Sequence, residues 1–216
     1  MFDSSPDVRV GVLALQGDFA EHIQVLRSVG VSPIEVKLPE ELLEIQGLII
    51  PGGESTVIGR LLHEWGLWQV ICERVKQKKL GIWGTCAGAI LLAKNTPNLE
   101  EVVSLQLLDM TIQRNAFGRQ TDSFAAQIRT SLFENPMFSG IFIRAPVITG
   151  VGKAAQAIAW LEDGTVVAAE QEGLLATAFH PELTQDPRFH LYFLNMLKNK
   201  IKLETQNENK NESKKL

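Results

Sequence analysis

Apolar residues along this chain come in two rhythms. Short unbroken runs of β-branched and aliphatic residues alternate, over residues 8–94, with stretches in which apolar positions recur every three or four residues. Residues 8–15, VRVGVLAL, read as a buried strand halted at Gln16-Gly17-Asp18. A helix is predicted next, because Asp18 can cap it and Phe19, Ile23, Leu26 and Val29 share one face before Gly30 ends it. Residues 33–37 and 47–50 give a second and third strand, the third stopped by Pro51-Gly52-Gly53-Glu54-Ser55. One helical region carrying Ile58, Leu61, Leu62, Trp65, Val70, Ile71 and Val75 then leads into a strand at 80–83. Strand and helix alternating at this cadence predict parallel strands joined by right-handed crossovers, with helices on both faces.

After Asn95 the texture changes. Short strands are predicted near 107–114, 123–130, 140–144, 157–161, 166–170 and 174–179, so the second half is β-rich and extends the sheet or forms a subsidiary one. A last helix over 186–201 carries Phe189, Tyr192, Phe193, Met196 and Leu197. Residues 8–201 read as a single domain, and 202–216, with almost nothing to bury, as a flexible tail.

Composition narrows the function classes. A chain of 216 residues that is 45% hydrophobic can bury a large core. Its 21 basic and 25 acidic residues leave a net charge of −4 with no basic block in the body, which argues against nucleic acid as a partner. No apolar stretch is long enough to cross a bilayer, and the acidic opening MFDSSPD does not resemble a secretory leader, so a cytoplasmic location is expected. Two cysteines make neither a disulfide framework nor a four-thiolate metal site, and no metal or cofactor is expected. Cys86 is left free to act as a thiol.

Three stretches carry candidate chemistry, each just past a strand. In Gly84-Thr85-Cys86-Ala87-Gly88 two small residues flank a cysteine with the spacing of a nucleophile elbow, where a tight strand-to-helix turn exposes the side chain at the crest of a sheet. The free N–H groups at the helix start favour the thiolate. Taken alone, the pentapeptide fits equally a small buried hydrophobe in a glycine-rich turn. In His180-Pro181-Glu182, proline bars a helix interior and lets residues two apart project to one side. An imidazole there can take a thiol proton, and a carboxylate behind it can fix its tautomer, giving a Cys86-His180-Glu182 triad. Pro51-Gly52-Gly53-Glu54-Ser55 reads either as an anion-cradling loop or as an ordinary turn with Ser55 as a helix cap. Cys72 reads as a core residue, and His63 and His190, without a paired acid, as surface or packing residues.

Together these stretches resemble the class I triad glutamine amidotransferases, and more closely the PdxT family of glutaminase subunits of pyridoxal 5′-phosphate synthase. The resemblance spans roughly residues 8–200 in family order. It rests on Leu15-Gln16-Gly17 with Glu21-His22, the PGGES loop, the cysteine turn, Arg114-Asn115-Ala116-Phe117-Gly118-Arg119-Gln120, Ile143-Arg144-Ala145-Pro146 and the His-Pro-Glu strand end. It departs at Ser123-Phe124-Ala125, where relatives usually carry glutamate after Ser-Phe.

The resemblance implies a three-layer, flavodoxin-like α/β fold and hydrolysis of L-glutamine to glutamate and ammonia. It assigns Cys86, His180 and Glu182 to catalysis, the N–H groups of Gly53 and Ala87 to an oxyanion hole, and Gly53, Glu54, Ser55, Arg114, Ile143 and Arg144 to substrate binding. Arg114 and Arg144 both suit the substrate carboxylate, and the choice between them stays open. It also implies a partner, a (β/α)8-barrel synthase subunit that receives the ammonia and is too large to fit in this chain. Gln16, Gly17, Glu21 and His22 are then candidates for a contact completed on docking. Alternatives are a glutaminase of another pathway and a DJ-1/PfpI-type cysteine hydrolase.

Overall fold

A computed structural model describes residues 8–97, 104–114 and 123–212. The chain runs through β1 (Val10–Leu13), α1 (Phe19–Ser28), β2 (Ile34–Val36), α2 (Pro39–Leu42), β3 (Gly47–Ile50), α3 (Ser55–Glu64), α4 (Leu67–Lys76), β4 (Gly81–Thr85) and α5 (Ala87–Leu92). It continues through β5 (Ala93–Asn95), β6 (Leu108–Gln113), β7 (Ser123–Thr130), β8 (Met137–Ile143), β9 (Val147–Val151), β10 (Gln156–Trp160), β11 (Val166–Gln171), β12 (Leu174–Thr177) and α6 (Arg188–Glu212).

Five strands are parallel, in the spatial order β2-β1-β3-β4-β12. This is the flavodoxin-like arrangement, and the sheet's carboxyl edge is where such folds gather ligands. Beyond β12 the pairing turns antiparallel through β11, β10, β7 and β8, while β5, β6 and β9 form a side branch that joins through β9 and β11. The β-rich second half therefore extends one sheet.

The unbroken apolar runs are explained by burial on both faces. Along β3, Leu48 and Ile50 join a core with Ile58, Leu62, Leu67 and Ile71 of α3 and α4, while Ile49 points the other way. The opposite core holds Val10, Val12, Trp83 and Leu175 with Ile23 and Leu26 of α1 and Phe189 and Phe193 of α6. Three layers follow from this alternation. Each fully buried Phe or Leu contributes about 1.5–3 kcal/mol relative to exposure, so the two cores fix both helical layers.

Several expectations are corrected. The single helical region predicted after β3 is two helices, broken at Gly66 with φ 72°, a conformation that glycine adopts without strain. The strands β5 and β9 and the short α2 were not predicted, being three to five residues long or headed by Pro39. The last helix does not stop at Ile201 but continues to Glu212, since no glycine or proline interrupts residues 202–212. Among the described residues, no helix is long and apolar enough to cross a membrane. Cys72 lies half-buried against the α3–α4 core, and burial raises its thiol pKa.

Candidate active site

Cys86 stands between β4 and α5 at φ 46° and ψ −100°, outside ordinary strand and helix conformations. Its N–H donates to the Thr177 carbonyl at 2.8 Å, and its carbonyl accepts from Ile90 N–H at 3.2 Å. The turn is this tight because a glycine stands two residues away on either side. A β-carbon on Gly88 would lie 2.0 Å from the Ile50 carbonyl oxygen, and one on Gly84 would lie 2.4 Å from the Gly88 carbonyl. Glycines at both positions let α5 sit directly on the strand ends. Ala87 opens α5, so its N–H belongs to the first turn, which has no acceptor within the helix.

β12 lies beside β4 in parallel register, Thr177 opposite Thr85. His180 follows, its N–H donating to the Ile141 carbonyl at 2.8 Å, and a single 3-10 turn at Pro181–Leu183 carries Glu182. His180 Nδ1 lies 2.7 Å from Glu182 Oε1, with both side chains buried. Burial by itself would disfavour the imidazolium. Hydrogen bonding to Cys86 and Glu182 and their negative charge outweigh it, raising the His180 pKa to about 10. His180 Nε2 has no well-aligned hydrogen bond, so its contact with Cys86 is loose in this state. Glu182 is raised above the usual carboxylate range by burial, against the opposing pull of His180.

The glycine loop packs on the loop after β1. Gly53 has φ 152°, and its N-terminal neighbour Gly52 accepts from Asp18 N–H at 3.0 Å. Gln16 Oε1 accepts from Glu54 N–H at 2.8 Å, so Gln16 braces the loop. Glu54, not Ser55, is the N-cap of α3, accepting from Thr56 N–H at 3.2 Å; Ser55 is buried and its hydroxyl lacks a partner among the described residues. Arg114 reaches across from the end of β6 to Glu54 Oε1 at 2.9 Å and to Thr56 Oγ1 at 3.4 Å. Ile143 presents its carbonyl 3.9 Å from Cys86 Sγ, and exposed Arg144 follows at φ 43°. Gly53, Glu54, Arg114, Ile143 and Arg144 thus come from loops and strand ends around Cys86, His180 and Glu182. Asn115 to Gln120, singled out in the sequence, lie outside the described residues.

Two residues differ from expectation. Asp18 occupies the N-cap of α1 but makes no capping bond; its Oδ2 lies 3.4 Å from His180 Nδ1 instead. Its pKa is raised by burial, with His180 pulling it back. His22 is not a surface contact: it is fully buried, its Nε2 3.2 Å from Thr85 Oγ1 and its Nδ1 3.0 Å from His190 Nε2. Burial also removes His190 from the surface reading, whereas exposed His63 stacks on Trp68 at 4.9 Å. The sequence offered one signal, Glu21-His22 beside the Gln16-Gly17 turn, but not its direction.

Asp18, His180 and Glu182 hold their ligand-type atoms within 4.8 Å of one another, the one such cluster among the described residues. With His180 Nδ1 committed to Glu182 Oε1, the donor set serves hydrogen bonding and proton transfer. A nucleophilic sulfur, a polarised imidazole and nearby loop N–H groups suit acyl transfer from an amide or ester.

A model of the SNO glutamine amidotransferase family matches residues 12–199. The pyridoxal 5′-phosphate synthase subunit PdxT of Chloroflexus aurantiacus is 54% identical over 189 residues, covering 87% of this chain and 99% of that protein. The protein of the same name from Dehalococcoides mccartyi is 48% identical over 192 residues, with coverage of 88% and 98%. Among solved structures, a glutamine amidotransferase superposes with a TM-score of 0.83 at 45% identity, covering 87% of this chain and 98% of that one. A GMP synthase subunit homologue from Thermoplasma acidophilum, at 17% identity and a TM-score of 0.65 over 92% and 98%, shares the fold.

Proposed function

Because the chain belongs to the SNO glutamine amidotransferase family, we propose that it is the glutaminase subunit of a pyridoxal 5′-phosphate synthase, acting in vitamin B6 biosynthesis. The observation that carries the mechanism is the pairing of His180 with Glu182 at 2.7 Å beside the strained Cys86 turn.

In this reading the Cys86 thiolate attacks the side-chain amide carbon of L-glutamine. The oxyanion that forms is held by the N–H groups of Gly53 and Ala87. As the C–N bond breaks, the His180 imidazolium delivers its Nε2 proton to the leaving nitrogen, and ammonia departs from a γ-glutamyl thioester on Cys86. His180, now neutral, takes a proton from water, which attacks the thioester and releases glutamate. Glu182 keeps the imidazole turned and stabilises its charged form. Gly53, Glu54, Ser55, Arg114, Ile143 and Arg144 form the substrate rim. Arg114 is neutralised by Glu54 at 2.9 Å, so it orders the glycine loop as much as it attracts a carboxylate.

Ammonia released into neutral water becomes ammonium and loses nucleophilicity, so the product passes to a separate (β/α)8-barrel synthase subunit. The domain covers residues 8–201, and the location is cytoplasmic. Mixing the purified chain with such a barrel, its sugar phosphate substrates and glutamine tests the proposal. Cofactor formation that depends on glutamine and on this chain supports it; cofactor formation from ammonium salts alone, unaffected by adding the chain and glutamine, contradicts it.

A further inference from the structure

Behind the triad lie two histidines that the mechanism does not use. His22 on α1 and His190 on α6 are both fully buried, and their rings meet Nδ1 to Nε2 at 3.0 Å. Trp83 fixes both ring planes edge-on, with centroids 5.5 Å from His22 and 4.8 Å from His190. The other nitrogen of His22, Nε2, lies 3.4 Å from Glu182 Oε2, the carboxylate oxygen that His180 does not use and that has no well-aligned donor among the described residues. A line of contacts therefore runs from His180 through Glu182 and His22 to His190.

Proton counting gives this line a direction. Burial holds both rings below their ordinary pKa, so each is neutral and carries one proton. One proton must sit between His22 Nδ1 and His190 Nε2, which leaves two arrangements. If His22 donates to His190, its bare Nε2 lone pair faces a carboxylate and an N–H is stranded at His190 Nδ1, which is buried without a partner. If His190 donates to His22, the His22 Nε2–H goes to Thr85 Oγ1 at 3.2 Å with Glu182 Oε2 beside it at 3.4 Å, and only a bare ring nitrogen is stranded. A stranded acceptor facing no charge is the cheaper defect, and an N–H beside a carboxylate is attracted where a bare lone pair would be repelled.

We propose that His22, aligned by His190, is a positioning residue whose Nε2–H, held beside Glu182 Oε2, favours the ionised carboxylate and keeps it turned toward His180. This rests on the triad reading above. The groups facing Glu182 are His180 from the strand end, His22 from α1 and, at longer range, Asp18 from the loop after β1. Of these, His22 alone offers an uncharged N–H to the second oxygen.

The test is the pH dependence of Cys86 alkylation by iodoacetamide in the full-length chain, followed on the Cys86 peptide by mass spectrometry so that Cys72 does not interfere. In the wild type the thiolate–imidazolium pair gives a reactive plateau with an alkaline limb set by His180. In His22→Leu, Glu182 loses the N–H beside its second oxygen and supports the His180 imidazolium less, and the alkaline limb moves down by about one pH unit. His22→Gln, which keeps an N–H near the Nε2 position, holds the limb close to wild type. An unmoved limb in His22→Leu, or an equal shift in both variants, overturns the proposal. A wild-type profile that is a plain thiol titration overturns the triad reading instead. Should either variant fold poorly, nitrogen NMR of wild-type His22 decides: Nε2–H across pH 6 to 9 is expected, and Nδ1–H overturns the proposal.

Discussion

The backbone N–H of Cys86 donates to the carbonyl of Thr177, and this one 2.8 Å bond ties the cysteine turn to the strand that delivers His180. Thr85 and Thr177 are register partners on neighbouring parallel strands, so the sheet itself sets the separation of thiol and imidazole. The chemistry proposed for this edge depends on backbone geometry before any side chain acts.

That geometry predicts intolerance at Gly88. Its added methyl would meet main-chain oxygen of Ile50 at 2.0 Å, where no flexible side chain can yield. Gly88→Ala should destabilise the fold by on the order of 3 kcal/mol. A urea midpoint equal to wild type would contradict this.

Glu182→Gln keeps size and burial but places an amide against His180 Nδ1, 2.7 Å away in the wild type. The amide's N–H favours the wrong tautomer and removes the charge that supports the imidazolium. Glutamate release should fall by roughly 10³-fold or more while KM changes little. Steady-state kinetics in the presence of the synthase barrel measures both.

Arg114 is half-buried and its ion pair with Glu54 at 2.9 Å is partly exposed, so its contribution to stability is small. Its place beside the glycine loop suits substrate binding. Arg114→Ala should raise the KM for glutamine about tenfold with a melting temperature within a few degrees of wild type. A large melting shift with an unchanged KM would assign it to structure alone.

Acid should destabilise the protein through the buried imidazoles. Burial holds His190 down at about 3 against an ordinary 6.5, and His22 is lowered in the same sense. Below pH 6.5 the unfolded chain takes up protons that the native state refuses, so stability present above that pH is lost as pH falls. The loss is about 1.4 kcal/mol per pH unit for each such histidine. His190→Leu should make the fall between pH 6.5 and 4 shallower by one proton. Parallel curves from urea unfolding would contradict it.

What the sequence disclosed was whatever depends on local order. The apolar runs that became β1, β3, β4 and β12 are buried on both faces and cannot be mistaken for amphipathic helix, and the candidate site residues come just past them. Cys86, His180 and Glu182 stood out as candidates because each follows such a run. The His22–His190 pair could not, since the two rings belong to helices at opposite ends of the chain that meet only when both pack on Trp83. Asp18 misled for a related reason: a carboxylate at a helix start reads as a cap, and only the neighbouring strand end reveals His180 at 3.4 Å. The break at Gly66 was hidden because the apolar spacing continues across it.

The central claim is that Cys86, made nucleophilic by His180, cleaves the side-chain amide of glutamine. Glutamate release by wild type, Cys86→Ala and Cys72→Ala, each with the synthase barrel present, tests it most directly. Full release by wild type and Cys72→Ala with none above background from Cys86→Ala is the expected result. Release by Cys86→Ala at a rate near wild type would contradict the account.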